Sequence, residues 1–196
     1  MGRWEPDSRD RLEEAALDLY GERGFERTTV AEIAARAGVT ERTFFRHFAD
    51  KREVLFGGAG AFEALVVNPV AAAPAGTSAI DAAAAGLAAA ATFLEGRRAF
   101  ARRRQAVIDA NRELQERELA KLAALGRGLA GALRARGEPD PGATLTAEVA
   151  VAVFRATFER WAGSADTPPL PDMIREALAG LGALVAPAVS PRRPPR

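Results

Sequence analysis

The stretch Thr29–Lys51, TVAEIAARAGVTERTFFRHFADK, decides the fold. Its opening, Thr29-Val30-Ala31-Glu32, has the form of a capping box, in which the threonine hydroxyl accepts from the third helical N–H while the glutamate reaches back. A short helix of about Val30 to Ala37 follows and stops at Gly38. Thr40 caps another, of about Glu41 to Phe48. Two short helices joined by Gly38-Val39-Thr40 match a helix-turn-helix: Ala34 and Gly38 are small enough for a close crossing, and Ile33, Val39, Phe44 and Phe48 fill the core. The outer residues of the second helix, Glu41, Arg42, Thr43, Phe45, Arg46 and His47, are then free to meet base edges or phosphates. Between positions 36 and 52, Arg36, Arg42, Arg46, Lys51 and Arg52 face Glu41 and Asp50, a local basic excess of the kind DNA binding needs.

Outward from this segment the chain reads as helices. Leu12, Ala16, Leu19 and Tyr20 recur at helical spacing behind Pro6-Asp7-Ser8, and Gly24 closes that run with Phe25 packing back on it. Asp50-Lys51-Arg52-Glu53 is a second capping box, opening a fourth helix through Val54 and Leu55. Asn68 to Thr77, with Pro69, Pro74 and Gly76, reads as a break. Helices are expected at about Ser78 to Leu94, Arg97 to Ala110, Arg112 to Arg136, Leu145 to Ala162 and Pro171 to Val185, with no strand alternation anywhere. The expected fold is therefore all-α, with about nine helices. The expected division is a helix-turn-helix DNA-binding domain over 1–50, a second helical domain over 51–187, and a disordered or polyproline-like tail over 188–196.

Composition narrows the function. The 196 residues are 48% hydrophobic, enough for a sizeable core, and contain no cysteine and a single histidine, His47. That removes disulfide scaffolds and thiolate metal sites, and leaves little for imidazole clusters or catalytic triads; no metal site, cofactor or catalytic residue is expected, and the chain is not read as an enzyme. Ala82–Leu94, mostly alanine, is shorter than the roughly 20 residues a bilayer span needs. Met1 to Asp10 is charged and leads into no apolar signal core, so a soluble cytoplasmic protein without membrane partners is expected. Basic and acidic side chains nearly balance, 27 against 26, so it is the distribution of charge that carries information.

The run Phe25-x-x-Thr28-Thr29-Val30-x-x-Ile33-Ala34-x-x-Ala37-Gly38-Val39-Thr40-x-x-Thr43-Phe44-Phe45-Arg46-His47-Phe48-x-x-Lys51 resembles the DNA-binding half of TetR-type transcriptional regulators over about Arg9 to Phe56. The resemblance implies a bacterial, all-helical homodimer with three helices for DNA and about six for ligand and dimerisation. By position it implies that Thr29 caps the second helix and touches phosphate, that Arg42 and Thr43 approach bases, that His47 approaches phosphate or base, and that Lys51 pairs with phosphate. Arg36, Thr40, Phe45 and Arg46 complete the candidate DNA-binding set. Many relatives carry tyrosine where this chain has Phe45, so a phosphate hydrogen bond there is lost and apolar packing remains.

The C-terminal half is expected to sense and to dimerise. Val149, Val153, Phe154, Phe158 and Trp161 give one helix a wide apolar surface, and Ile174, Leu178, Leu181 and Leu184 stripe the last. The resemblance implies a dimer through the last two helices, reading a palindromic operator. Its arginine-rich sixth helix and Asn111–Glu116 are similar to an acyl-CoA-responsive branch of the family. An apolar cavity lined by Phe93, Ile108, Phe154, Phe158 and Trp161, with Arg104 or Arg155 near its mouth, would suit an acyl chain with an anionic head. The reading is a repressor released from DNA by a small apolar or amphipathic effector; the alternative is a helical lipid carrier or enzyme with vestigial DNA binding. Gly126–Gly131 fits G-x-G-x-x-G literally but lies in a helical context, so its glycines are read as close helix packing. Arg97–Arg104 is read as a solvated helix face with partners such as Glu95, Glu113 and Glu116 rather than a second nucleic-acid patch.

Overall fold

The first helices start where the spacing predicts. A computed structural model describes residues 7–185. In it α1 (Ser8–Arg23) begins after Asp7 and ends where the Gly24 N–H returns to the Tyr20 carbonyl, with Phe25 packed edge-on against Tyr20. The Thr29–Glu32 capping box is complete at the head of α2 (Val30–Arg36). Gly38 takes φ of 67°, a left-handed conformation that a side chain would strain, and so turns the chain into α3 (Glu41–His47), whose first turn is capped by Thr40. At α4 (Glu53–Phe56) half of the expected capping box forms: the Asp50 carboxylate accepts from the Arg52 and Glu53 N–H groups, while the Glu53 side chain pairs with Arg117 instead of reaching back.

The expected break at Asn68 begins later. α5 (Ala59–Ala72) runs through Pro69 and ends at Ala73. A proline inside a helix removes one backbone bond and crowds the preceding turn. Packing holds this one in place: Val66 and Val70 are completely buried against α6 (Ala79–Glu95), and a Cβ at Gly86 would lie 2.2 Å from the Val66 carbonyl oxygen. Only a glycine lets the two backbones approach so closely. Together α4 and α5 span Glu53–Ala72, a stretch long and apolar enough by length and composition to cross a membrane, which attention to Ala82–Leu94 alone misses. Here it is interrupted at Gly57-Gly58, and its buried residues divide between two cores.

The remaining helices are α7 (Arg98–Asp109), α8 (Arg112–Ala135), α9 (Gly142–Gly163) and α10 (Leu170–Val185). Ten helices and no strands are present among the described residues; counting the single turn of α4 with α5 gives the expected nine. Gly126–Gly131 lies inside α8, so no strand-to-helix turn forms there, and Gly128 faces Glu63 and Val67 of α5. The 188–196 tail and the Leu184 side chain lie outside the described residues.

Two apolar cores result. One joins α5, α6, α8, α9 and α10 around Leu87, Leu129, Leu133, Trp161 and Ile174. The other is built by α1–α4 around Leu12, Leu19, Ile33, Phe44 and Phe48, and is completed by Val107 and Ile108 of α7 and Leu114 of α8. The end of α7 and the start of α8 are therefore part of the core that carries α3. Arginines reinforce the junction: Arg97 pairs with Glu13, Arg103 with Glu14 and Asp18, and Arg104 donates to the Leu55 carbonyl and to Glu118 while lying over the Phe56 ring.

Candidate nucleic-acid interface

Phe44 anchors the surface that α3 presents. Its ring is fully buried, in contact with Phe48, and this fixes which side of a seven-residue helix points outward. On that side Arg42 is exposed and makes no hydrogen bond or ion pair among the described residues. Phe45 is 54% exposed and meets the buried Phe44 ring edge-on at 5.4 Å. Arg46 is exposed as well, its Nη2 3.4 Å from His47 Nε2. The Thr40 and Thr43 hydroxyls hydrogen-bond to each other at 3.1 Å, and Thr40 also accepts from the Thr43 N–H, so both belong to the helix cap while remaining near the surface.

His47 is tied across the domain. Its Nε2 lies 2.8 Å from Ser8 Oγ at the head of α1, a bond that connects the far end of α3 to the first helix. In the sequence Ser8 is legible as a helix start and no more, because its partner is 39 positions away. Thr29, at the head of α2, is exposed, but its hydroxyl donates to Glu32 at 2.9 Å and accepts from the Glu32 N–H at 3.3 Å.

Two expected contacts are engaged elsewhere. The resemblance implies a Lys51 free for a phosphate; its ammonium instead donates to the carbonyls of Phe25, Glu26 and Thr28 at 2.9, 3.2 and 3.1 Å and lies 4.4 Å above the Phe25 ring. An ammonium has three donors, and all three are used. Tyr20 then fixes the same residue from the other side, its hydroxyl donating to the Lys51 carbonyl at 2.6 Å. Burial pushes the Tyr20 hydroxyl well above its ordinary pKa, so it stays a donor. Arg36 makes a fork on Glu22, with both N–O distances 2.9 Å, and hydrogen bonding to Arg36 draws the Glu22 carboxyl below its usual range. Arg52 is likewise held by Asp50 and Glu113. Of the five basic groups counted between 36 and 52, Arg42 and Arg46 are the ones left facing outward without an acidic partner among the described residues.

The expected effector cavity is not assembled. Phe154, Phe158 and Trp161 do come together, with centroids 5.7 Å apart along the series, and Phe62 joins at 5.5 Å from Phe154. These rings pack on one another as core. Ile108 belongs to the other core, with α1–α4. Phe93 is exposed beneath Arg97. Arg155 pairs with Glu159 on the surface, and Arg104 is committed to α4 and Glu118. The arginine that turns inward is Arg98: it covers the Trp161 ring and donates to the carbonyls of Trp161 and Ser164, while the Trp161 indole N–H donates to Glu95. The clefts that stand out are elsewhere: about 670 Å³ between α1, α2 and α7, and about 400 Å³ around Arg136 at the opposite end. No cluster of metal-ligating side chains occurs among the described residues.

Known proteins share this arrangement. Residues 12–56 match the model of the bacterial regulatory proteins of the tetR family, and residues 77–186 match that of the MftR C-terminal domain. A 47-residue segment is 53% identical to the HTH-type transcriptional regulator TcmR of Streptomyces glaucescens. That segment is 24% of this chain and 21% of TcmR, so the match spans about a fifth of the relative's length. Over nearly the whole chain the fold is similar to FadR of Bacillus subtilis, solved in complex with stearoyl-CoA (19% identity, 88% of this chain and 96% of that one, TM-score 0.62). It is also similar to FadR of Thermus thermophilus, a repressor solved in complex with lauroyl-CoA (26% identity, 93% and 98% coverage, TM-score 0.58). With an N-terminal match over the helix-turn-helix and a second match that spans more than half of its length, the chain belongs to the TetR family of transcriptional regulators.

Proposed function

We propose that this regulator is a homodimeric repressor that reads a palindromic operator through α3 and is released by an apolar or amphipathic effector. The observation that carries the reading is the outer face of α3, where Arg42, Phe45 and Arg46 stand exposed on a helix whose inner face is locked by Phe44. Base edges in the major groove are reached by side chains of this kind, while phosphate contacts fix the register. Thr29, at the exposed head of α2, and Thr40, Thr43 and His47 of the α3 segment are the candidates for the surrounding backbone contacts. The DNA-reading unit takes in α4 as well as α1–α3, because Val54, Leu55 and Phe56 share the core of Phe44.

Dimerisation is supported by an apolar stripe that the subunit leaves uncovered. Leu145 is 61% exposed and Val149 36%, and Ala152 and Ala156 continue the same exposed face of α9 at helical spacing. A second copy covering this stripe with α9 and α10 would set two α3 helices on one duplex, about 34 Å apart for successive major grooves. The effector is proposed as acyl-CoA-like on the strength of the two FadR complexes. Its entry would part the Phe62–Phe154–Phe158 rings and displace α7 and α8, whose ends complete the core under α3. Coupling then requires the effector to bind the DNA-incompetent arrangement more tightly.

A gel shift with the intergenic DNA beside the gene tests this. Selective binding that weakens steeply with salt and is reversed by long-chain acyl-CoA is expected. Tight acyl-CoA binding without any selective shift would instead favour a carrier.

A further inference from the structure

Phe45 is a large apolar ring held on a polar, cationic face. Arg42 precedes it by three positions and so shares its helix surface, and Arg46 is exposed beside it, so the ring belongs to the outward face that carries these two cations. Phe44, completely buried, meets this ring edge-on at 82° from the core side. We propose that Phe45 is a specificity-determining residue that reads the 5-methyl group of a thymine in each operator half-site; this rests on α3 being the DNA-reading helix. Major-groove base edges offer donors and acceptors, and the apolar group that projects from them is the thymine methyl. A phenyl ring has no hydroxyl to offer a phosphate or a base. Pressed on a polar edge it would strip water from that edge and return no hydrogen bond. Against a methyl group the same contact removes apolar surface from water on both sides.

The test starts from a random DNA library. Duplexes are enriched from it with the wild-type protein, and each thymine of the enriched half-site is replaced in turn by deoxyuridine, which deletes the methyl and keeps the pairing. Fluorescence anisotropy then compares wild type with Phe45→Ala. One replacement is expected to weaken the wild type about fourfold, the worth of one buried methyl group, and to leave Phe45→Ala unaffected. The proposal is overturned if no replacement affects the wild type, or if the loss persists undiminished in Phe45→Ala. Enrichment of no sequence at all would remove the DNA-reading role of α3 and this assignment with it, an outcome distinct from selective binding that ignores the methyl. Because the deoxyuridine arm changes only the DNA, it does not depend on how a variant folds.

Discussion

Lys51 Nζ lies 2.9 Å from the Phe25 carbonyl oxygen and 4.4 Å above the Phe25 ring, so the cation that opens the fourth helix holds the turn in front of the second. Glu26 and Thr28 offer it two more carbonyls, and the clamp sets where Thr29 begins α2. The helix-turn-helix is thereby fixed to α4 by charge as well as by apolar packing.

Replacing Lys51 with methionine keeps the stem and removes the donors. Three carbonyls then lose a charged partner, and a loss of about 1–3 kcal/mol in unfolding free energy is expected by urea titration. The salt dependence of DNA binding should keep its slope. A slope lowered by about one unit with stability unchanged would return Lys51 to the phosphate backbone.

Asp50 gives the region an acid sensitivity. Hydrogen bonding to Arg52 comes first among the causes that hold its carboxyl below the usual range, so the folded state favours the ionised form. That contribution is fully present above the unfolded carboxylate pKa of about 3.9 and is lost as pH falls through the lower folded value. Asp50→Asn should therefore be less stable than wild type at neutral pH, by a modest amount because the site is partly exposed. The gap should narrow below about pH 4 in thermal melts. A gap independent of pH would mean that the carboxylate's charge is immaterial there.

Gly86→Ala should be severe for so small a change. The new methyl would press on the Val66 carbonyl, which is backbone and cannot swing aside. A cost of about 2 kcal/mol or more is expected, with α5 separating from α6. Unaltered chemical denaturation would show that the two helices are free to slide apart without loss.

Much of the N-terminal half is legible in the sequence because its signals are local. The capping residues Thr29 and Thr40, the turn at Gly38 and the apolar spacing of Ile33, Phe44 and Phe48 all act within a few positions of one another. What is not legible depends on partners far along the chain. Arg36 finds Glu22, Arg52 finds Glu113, and Lys51 finds the carbonyls of Phe25, Glu26 and Thr28, so counting charges between 36 and 52 overstates the free basic surface. Pro69 signals a break on its own, yet Val66, Val70 and Gly86 outweigh it through packing on α6. Ile108 is buried, as an apolar residue of a cavity wall would be, but periodicity cannot say which of two cores a helix face meets. The same limit scatters the other residues expected around the cavity.

Leu145→Glu addresses the uncovered stripe on α9. Because Leu145 is exposed in the subunit, the substitution should leave helicity and melting of the monomer intact. Sedimentation should show the dimer weakened at least tenfold, since a charge would be buried against an apolar partner face. An unchanged dimer would place the interface elsewhere.

The role of α3 is tested most directly by the double variant Arg42→Ala/Arg46→Ala. Its affinity is measured by fluorescence anisotropy on the enriched duplex and on a scrambled one, beside wild type. Discrimination between the two duplexes should fall at least tenfold in the variant, leaving only what Phe45 and Thr43 still read, while far-UV circular dichroism and melting stay those of wild type. Undiminished discrimination in a folded variant would contradict the assignment of α3 as the helix that reads DNA.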